Sequence, residues 1–243
     1  SDAAPLDYGV GTPAATWFDG RFWVFYAVGP ETCCKLRYRT SPDGVVWSRP
    51  HSSGGSVDCR AVAVTPYRDA VQVFYKECGD GARAIAQFAC TAPWSCRGPR
   101  RVVPTMGPPD EPLTSAFGPG AAVLGDRLWL VFGDGAEADT LSAAWYFTWP
   151  DAALEGSWAL PEVVGPEPSA PEPMTIPDAE PCTRRAIIEG VQVLSSPSAV
   201  SYRGRLHVAV EATDAPPGMD LPPYGLVYAS AAVPDDRRAW SQV

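Results

Sequence analysis

The sequence predicts an all-β chain built from a repeated four-stranded unit. Three observations carry that expectation: turn-formers and aromatics are both abundant, one hairpin pattern recurs four times, and each copy closes near a tryptophan. The 243 residues include 27 Pro, 22 Gly, 9 Trp, 9 Tyr and 8 Phe. Such a mixture suits short strands joined by tight turns.

The hairpin is clearest when Pro13-Ala14-Ala15-Thr16-Trp17-Phe18-Asp19-Gly20-Arg21-Phe22-Trp23-Val24-Phe25-Tyr26 is set against Pro119 to Phe132, which aligns without a gap. Pro197 to Val210 fits the same register, and a weaker copy runs from Val62 to Tyr75 through Arg68-Asp69. Each copy reads as strand, tight turn, strand, with Gly or Asp at the turn. A third apolar run follows each hairpin, at Leu36 to Thr40, Ala82 to Ala89, Leu141 to Phe147 and Gly225 to Ser230. The units then close near Trp47, Trp94, Trp158 and Trp240. Four short strands per unit, repeated, are the signature of a β-propeller, here a single domain over residues 1–243 with four blades at approximately 12–50, 58–104, 117–164 and 195–243. A β-sandwich is the competing architecture, but sandwiches rarely repeat a hairpin with a fixed tryptophan closure. Residues 165–184, rich in proline, read as a long loop. The stretch from Arg185 to Leu194 reads as extended and offers part of a degenerate fifth blade, so four and five blades both stay open.

Composition excludes several classes of function. The 19 basic and 28 acidic residues give a net charge of −9, which repels a phosphate backbone and argues against nucleic-acid binding. No apolar run reaches the length of a membrane-spanning helix, so membrane insertion is not expected. Seven cysteines with only two histidines and no CxxC spacing disfavour a structural zinc site. Disulfides in an oxidising compartment, secreted or periplasmic, are the better reading, and the Ser-Asp-Ala-Ala-Pro start suits a mature N-terminus after export. The closing Trp240, three residues from the end, suggests a complete unit.

The segment Thr40-Ser41-Pro42-Asp43-Gly44-Val45-Val46-Trp47 resembles, shortened by one residue, the Asp-box of sialidase-like propellers, S-x-D-x-G-x-T-W. A degenerate trace, Asp235-Asp236, precedes Trp240. The resemblance implies a structural role for Ser41, Asp43, Gly44 and Trp47 on a turn between the two outer strands of a blade, away from the ligand. The side chains of Ser41 and Asp43 can accept backbone N–H groups, Gly44 supplies the unusual dihedral, and Trp47 packs between sheets. That family's sialidases also carry a Phe-Arg-Ile-Pro-like motif and an arginine triad. This chain has no such motif, and Arg60 is its best strand-start arginine, so sialidase activity is not expected.

In a propeller, the loops joining second to third strands share one face with the blade-to-blade connections, and the resemblance places ligands on that face. Here those loops and connections hold many carboxylates, so one face is expected to be acidic. A glycan there would meet Glu77, Arg60, Asp110 and Glu211. Paired carboxylates can hydrolyse a glycosidic bond, which makes Asp58, Glu111, Asp134 and Glu189 the catalytic candidates. Asp134, Glu137 and Asp139 place oxygen ligands around Gly135, a pattern suited to calcium. Trp17, Trp23, Trp129, Trp145 and Trp149 are candidates for stacking on sugar rings, although Trp23 and Trp129 share one repeat position and so favour packing.

Cys59 and Cys78 flank the second hairpin symmetrically and are expected to form a disulfide, and Cys90 with Cys96 to close a small loop. For Cys33, Cys34 and Cys182 the sequence leaves two options: one bridge to Cys182, or a vicinal Cys33–Cys34 bridge. The functional reading is a secreted, lectin-like propeller that binds a glycan or polysaccharide. A glycoside hydrolase on the same face and a protein-interaction propeller are the alternatives. The scaffold alone does not choose among them.

Overall fold

The computed structural model describes residues 11–29, 33–78, 84–101, 115, 117–134, 140–148, 156–159, 186–188, 192–213, 225–232 and 241–242. Among them every regular element longer than a single bridge is a β-strand. Strands β1 (Ala14–Phe18), β2 (Arg21–Val28), β3 (Cys34–Ser41), β4 (His51–Tyr67), β5 (Ala70–Glu77), β6 (Ile85–Ala92) and β7 (Ser95–Arg101) form one seven-stranded antiparallel sheet in chain order. A second sheet holds β8 (Gly120–Leu124), β9 (Arg127–Asp134), β10 (Thr140–Thr148) and β11 (Gly156–Ala159), with β12 (Ala186–Ile188) also on β10. A third holds β13 (Gln192–Val193), β14 (Ser198–Tyr202), β15 (Arg205–Thr213), β16 (Gly225–Ala231) and β17 (Ser241–Gln242).

The seven-stranded sheet is two units joined through β4. Its first part pairs with β3, from Tyr38↔His51 to Cys34↔Val57, and its second with β5, from Val62↔Tyr75 to Tyr67↔Ala70. Residues 51–57 thus form the outer strand of the first unit, past the expected limit at residue 50, and 62–67 form the inner strand of the second. The other two units open on β8 and β14, so the described strands make four four-stranded units. All four repeat hairpins close identically, with Phe18↔Arg21, Tyr67↔Ala70, Leu124↔Arg127 and Tyr202↔Arg205 around two-residue turns. Positive φ at Asp19 and Gly20, and at Arg203 and Gly204, matches the primed turns that suit the twist of paired strands.

The extended stretch near residue 190 builds no sheet of its own among the described residues. β12 pairs with β10 beyond β11, and β13 pairs with β15 beyond β14. Together β11 to β14 do what β4 does alone, passing from the outer edge of one unit to the inner edge of the next. Residues 160–185 lie between β11 and β12 in the sequence, outside the described residues.

Packing between units follows from strand periodicity. On β5, Val71, Val73 and Tyr75 join Trp23, Phe25, Leu36 and Phe88 in a core between the first two units, while Phe74, one register out, joins Leu128, Leu130 and Phe132 in the core toward the third. Burial on both faces explains why β9 reads as an unbroken apolar run from Leu128 to Phe132 and why β5 is apolar from Ala70 to Tyr75 except at Gln72, which is paired with Gln87. The first core is aromatic: Trp23 stacks on Phe25 at 6.2 Å and Phe25 meets Phe88 at 6.0 Å. A Tyr67 hydroxyl bond to the Asp126 carbonyl, 2.8 Å, pins the second unit to the hairpin of the third. The inner strands pack in series, β1 on β4, β4 on β8 and β8 on β14.

The cysteines depart from expectation at one place. Cys59 is bonded to Cys34 and Cys78 to Cys33, so the expected Cys59–Cys78 bridge does not form. Extending the hairpin register from Tyr67↔Ala70 would set Cys59 opposite Cys78. The register shifts between Val57 and Val62, where β4 leaves one unit for the next, and Val57 falls opposite Glu77. Cys59 is thereby delivered to Cys34 on β3. Cys33 and Cys34 sit in separate bridges, which removes both a vicinal bond and a link from either to Cys182, itself outside the described residues. Cys90 and Cys96 are bonded across β6 and β7.

Candidate functional site

The four inner strands converge on a cavity of about 600 Å³. Its wall is made by Thr12 to Ala15 leading into β1, Val62 to Val64 of β4, Phe117 and Pro119 to Ala121 leading into β8, and Leu194 to Ala199 leading into β14. Each contributes the beginning of an inner strand, so the cavity opens on the side where units connect. The second strands end on that side, because each runs antiparallel to an inner strand. This brings the backbone of Glu77 and Asp134 to equivalent positions at the ends of β5 and β9, while Glu211 on β15 falls one position short of theirs, opposite in strand alternation.

Small residues let the wall close in. A Cβ on Gly120 would lie 2.5 Å from the Pro197 carbonyl oxygen, and one on Gly11 would lie 1.8 Å from that of Cys59. Only glycine permits those backbone approaches. The polar side chains of the described wall are the hydroxyls of Thr12, Ser195, Ser196 and Ser198. Two connecting segments are fastened by serines. The fully buried Ser115 donates its hydroxyl to the Gly133 carbonyl at 2.9 Å. Ser195 accepts the Glu211 N–H at 3.2 Å, beside a Leu194 N–H bond to the Glu211 carbonyl of 2.9 Å.

The sequence candidates divide accordingly. No carboxylate lines the cavity among the described residues. Asp58 is half-buried and its carboxylate is paired with Lys76 at 3.0 Å. Glu77 lies beside Tyr75, whose phenol is pushed up to about 12, first by burial and then by the Glu77 charge, which suits it poorly to serve as a base. Glu211 is exposed at the strand end. Arg60 and Asp134 lie on β4 and β9 with their side chains outside the described set, and Asp110, Glu111, Glu137, Asp139 and Glu189 lie outside the described residues altogether. No group of metal-ligating side chains occurs among the described residues. Trp23 and Trp129 are buried in the cores, which assigns them to packing, and Trp17 is half exposed but at the far end of β1 from the cavity. Trp145 is on β10 with its side chain outside the described set, and Trp149 is outside the described residues. Ser115 was not among the sequence candidates. A lone serine in a proline-rich connection carries no signal until its partner strand is known.

The Asp43 turn lies at the opposite end, between β3 and β4. The Asp43 carboxylate accepts Val45 N–H at 2.8 Å, Val46 N–H at 2.9 Å and the Ser41 hydroxyl at 2.9 Å. The Ser41 oxygen accepts Gly44 N–H at 2.8 Å, and the Trp47 indole donates to the Gly44 carbonyl at 3.1 Å. These bonds, Val46 foremost, hold the Asp43 carboxyl below the ordinary carboxylate range.

No protein-family model and no curated protein matches the sequence. Solved structures do match in fold. An exo-β-1,3-galactanase from Phanerochaete chrysosporium, solved with β-1,3-galactotriose, aligns with TM-score 0.56 at 12% identity, over 95% of this chain and 49% of its own. A glycosyl hydrolase from Bacteroides ovatus aligns with TM-score 0.53 at 11% identity, over 92% and 68%. A thermostable family-43 glycoside hydrolase aligns with TM-score 0.50 at 14% identity, over 100% and 75%. The chain therefore shares the all-β fold of these structures. Identities this low describe the scaffold and leave the chemistry to be argued from the site.

Proposed function

We propose that this chain is an exported glycoside hydrolase that receives a glycan in the cavity at the convergence of its inner strands. That cavity carries the reading: it lies on the side where units connect, in a scaffold shared with enzymes described as glycosidases. Asp134 on β9 and Glu111 and Glu189 on the two connecting segments are the proposed acid and base. One carboxyl protonates the glycosidic oxygen as its bond to the anomeric carbon breaks. A second takes a proton from the water that attacks that carbon, or attacks first itself. Arg60, Asp110, Glu77 and Glu211 would contact outer sugar hydroxyls, and Asp134, Glu137 and Asp139 could hold calcium at the rim. Three disulfides support an oxidising compartment, secreted or periplasmic.

The test is release of reducing sugar from a panel of plant and microbial polysaccharides, galactans and arabinans included. Turnover should fall about 100-fold or more in Asp134→Asn or in one of Glu111→Gln and Glu189→Gln. If neither hydrolysis nor glycan binding is found, the reading fails. Binding without turnover is the second reading, and the hydroxyl-rich wall at Thr12, Ser195, Ser196 and Ser198 favours it. A glycan array run with and without calcium separates the two.

A further inference from the structure

We infer that Ser115 is a positioning residue of this site, fixing the Asp134 end of β9 against the cavity wall; the inference rests on the hydrolase reading above. Ser115 is 0% exposed, so its hydroxyl cannot touch a ligand. Its one described bond goes to the carbonyl of Gly133, the residue before Asp134. Two residues after Ser115, Phe117 begins the stretch of wall that runs through Pro119 to Ala121. One buried bond therefore couples the wall to the strand end that carries the proposed carboxylate.

The fourth unit repeats the device. Gly120 pairs with Val131 and Ser198 with Ala209, and in each case the serine of the incoming segment binds the residue two positions further along the second strand. The partners differ. Ser195 accepts an N–H and lines the cavity, whereas Ser115 donates to a carbonyl and lies behind it. Register alone holds the third-unit ladder as far as Thr140↔Asp134. What register does not set is the distance from that strand end to the wall, and Ser115 spans that interval.

The experiment measures kcat, KM, Tm and the pH profile for Ser115→Ala, Ser115→Cys and Ser115→Thr on the best substrate of the panel. Val208→Ala, a core truncation in the fourth unit, supplies a stability control. Displacing a catalytic group by a fraction of an ångström to 1 Å lowers turnover by about 10-fold to 100-fold. Ser115→Ala should show a fall of that size, KM within about twofold, and a displaced limb of the pH profile. Ser115→Cys keeps the packing but donates weakly, so it should reproduce the fall with Tm held, and it serves if the alanine variant does not fold. Ser115→Thr retains the hydroxyl and should recover turnover. Unchanged kcat and pH profile in the alanine and cysteine variants would overturn the inference, as would an equal kcat loss in Val208→Ala at matched Tm. An unaltered chain inactive on the whole panel overturns the hydrolase reading instead, and the inference with it.

Discussion

At Asp43 a single carboxylate organises a turn by accepting two backbone N–H groups and a hydroxyl. Its folded-state pKa is depressed, so its contribution to stability is present above the unfolded-state value and disappears as pH falls through the folded one. Asp43→Ala should therefore melt below the unaltered chain near neutrality, and the gap should narrow as pH drops through and below the carboxylate range. Thermal melts over a pH series check this, and a gap constant with pH would contradict it. The turn was legible in the sequence because Ser41, Asp43 and Gly44 act on neighbours within a few positions. The cavity side chains were not. Thr12, Val62, Phe117 and Ser195 meet only when four separate segments converge, and no local spacing encodes that convergence.

Among the elements, the hairpins were readable and the crossing strand was not. Two-residue turns with Asp-Gly, Gly-Asp or Arg-Gly announce themselves through backbone preference. The shift within β4 has no such mark, because Asp58 to Ala61 contain neither glycine nor proline, and that shift decides the cysteine partners. The two bridges it creates hold β3 to β4 and to the end of β5, on the cavity side of the first two units. Removing the buried one with the double change Cys34→Ser and Cys59→Ser should cost about 2–4 kcal/mol in denaturant unfolding. Peptide mapping without reduction should recover Cys59 with the Cys33-Cys34 segment. A Cys59–Cys78 peptide would show the register argument to be wrong.

Across the whole molecule, the all-β class was legible from repetition: one hairpin pattern, copied, needs neighbours on its faces, and the inner strands pack in series to supply them. Composition had also pointed to the disulfides. What it could not supply was the manner in which consecutive units are joined. The first two units share one uninterrupted strand, while the third and fourth are connected by β11 to β14 with residues 160–185 between the halves. No carboxylate lines the described part of the cavity wall. The side chains the described wall offers are hydroxyls and apolar groups.

The undivided strand also bears on how the chain opens. Because β4 is the last strand of one unit and the first of the next, neither can let go without stripping a hydrogen-bonded edge from the other. Amide protons along 51–57 and 62–67 should therefore exchange with solvent deuterium together, at a rate set by one shared event. The third and fourth units have no such strand in common. Their amides along 142–146 and 206–210 should exchange at separate rates, giving a molecule that breathes as one bonded pair and two independent panels.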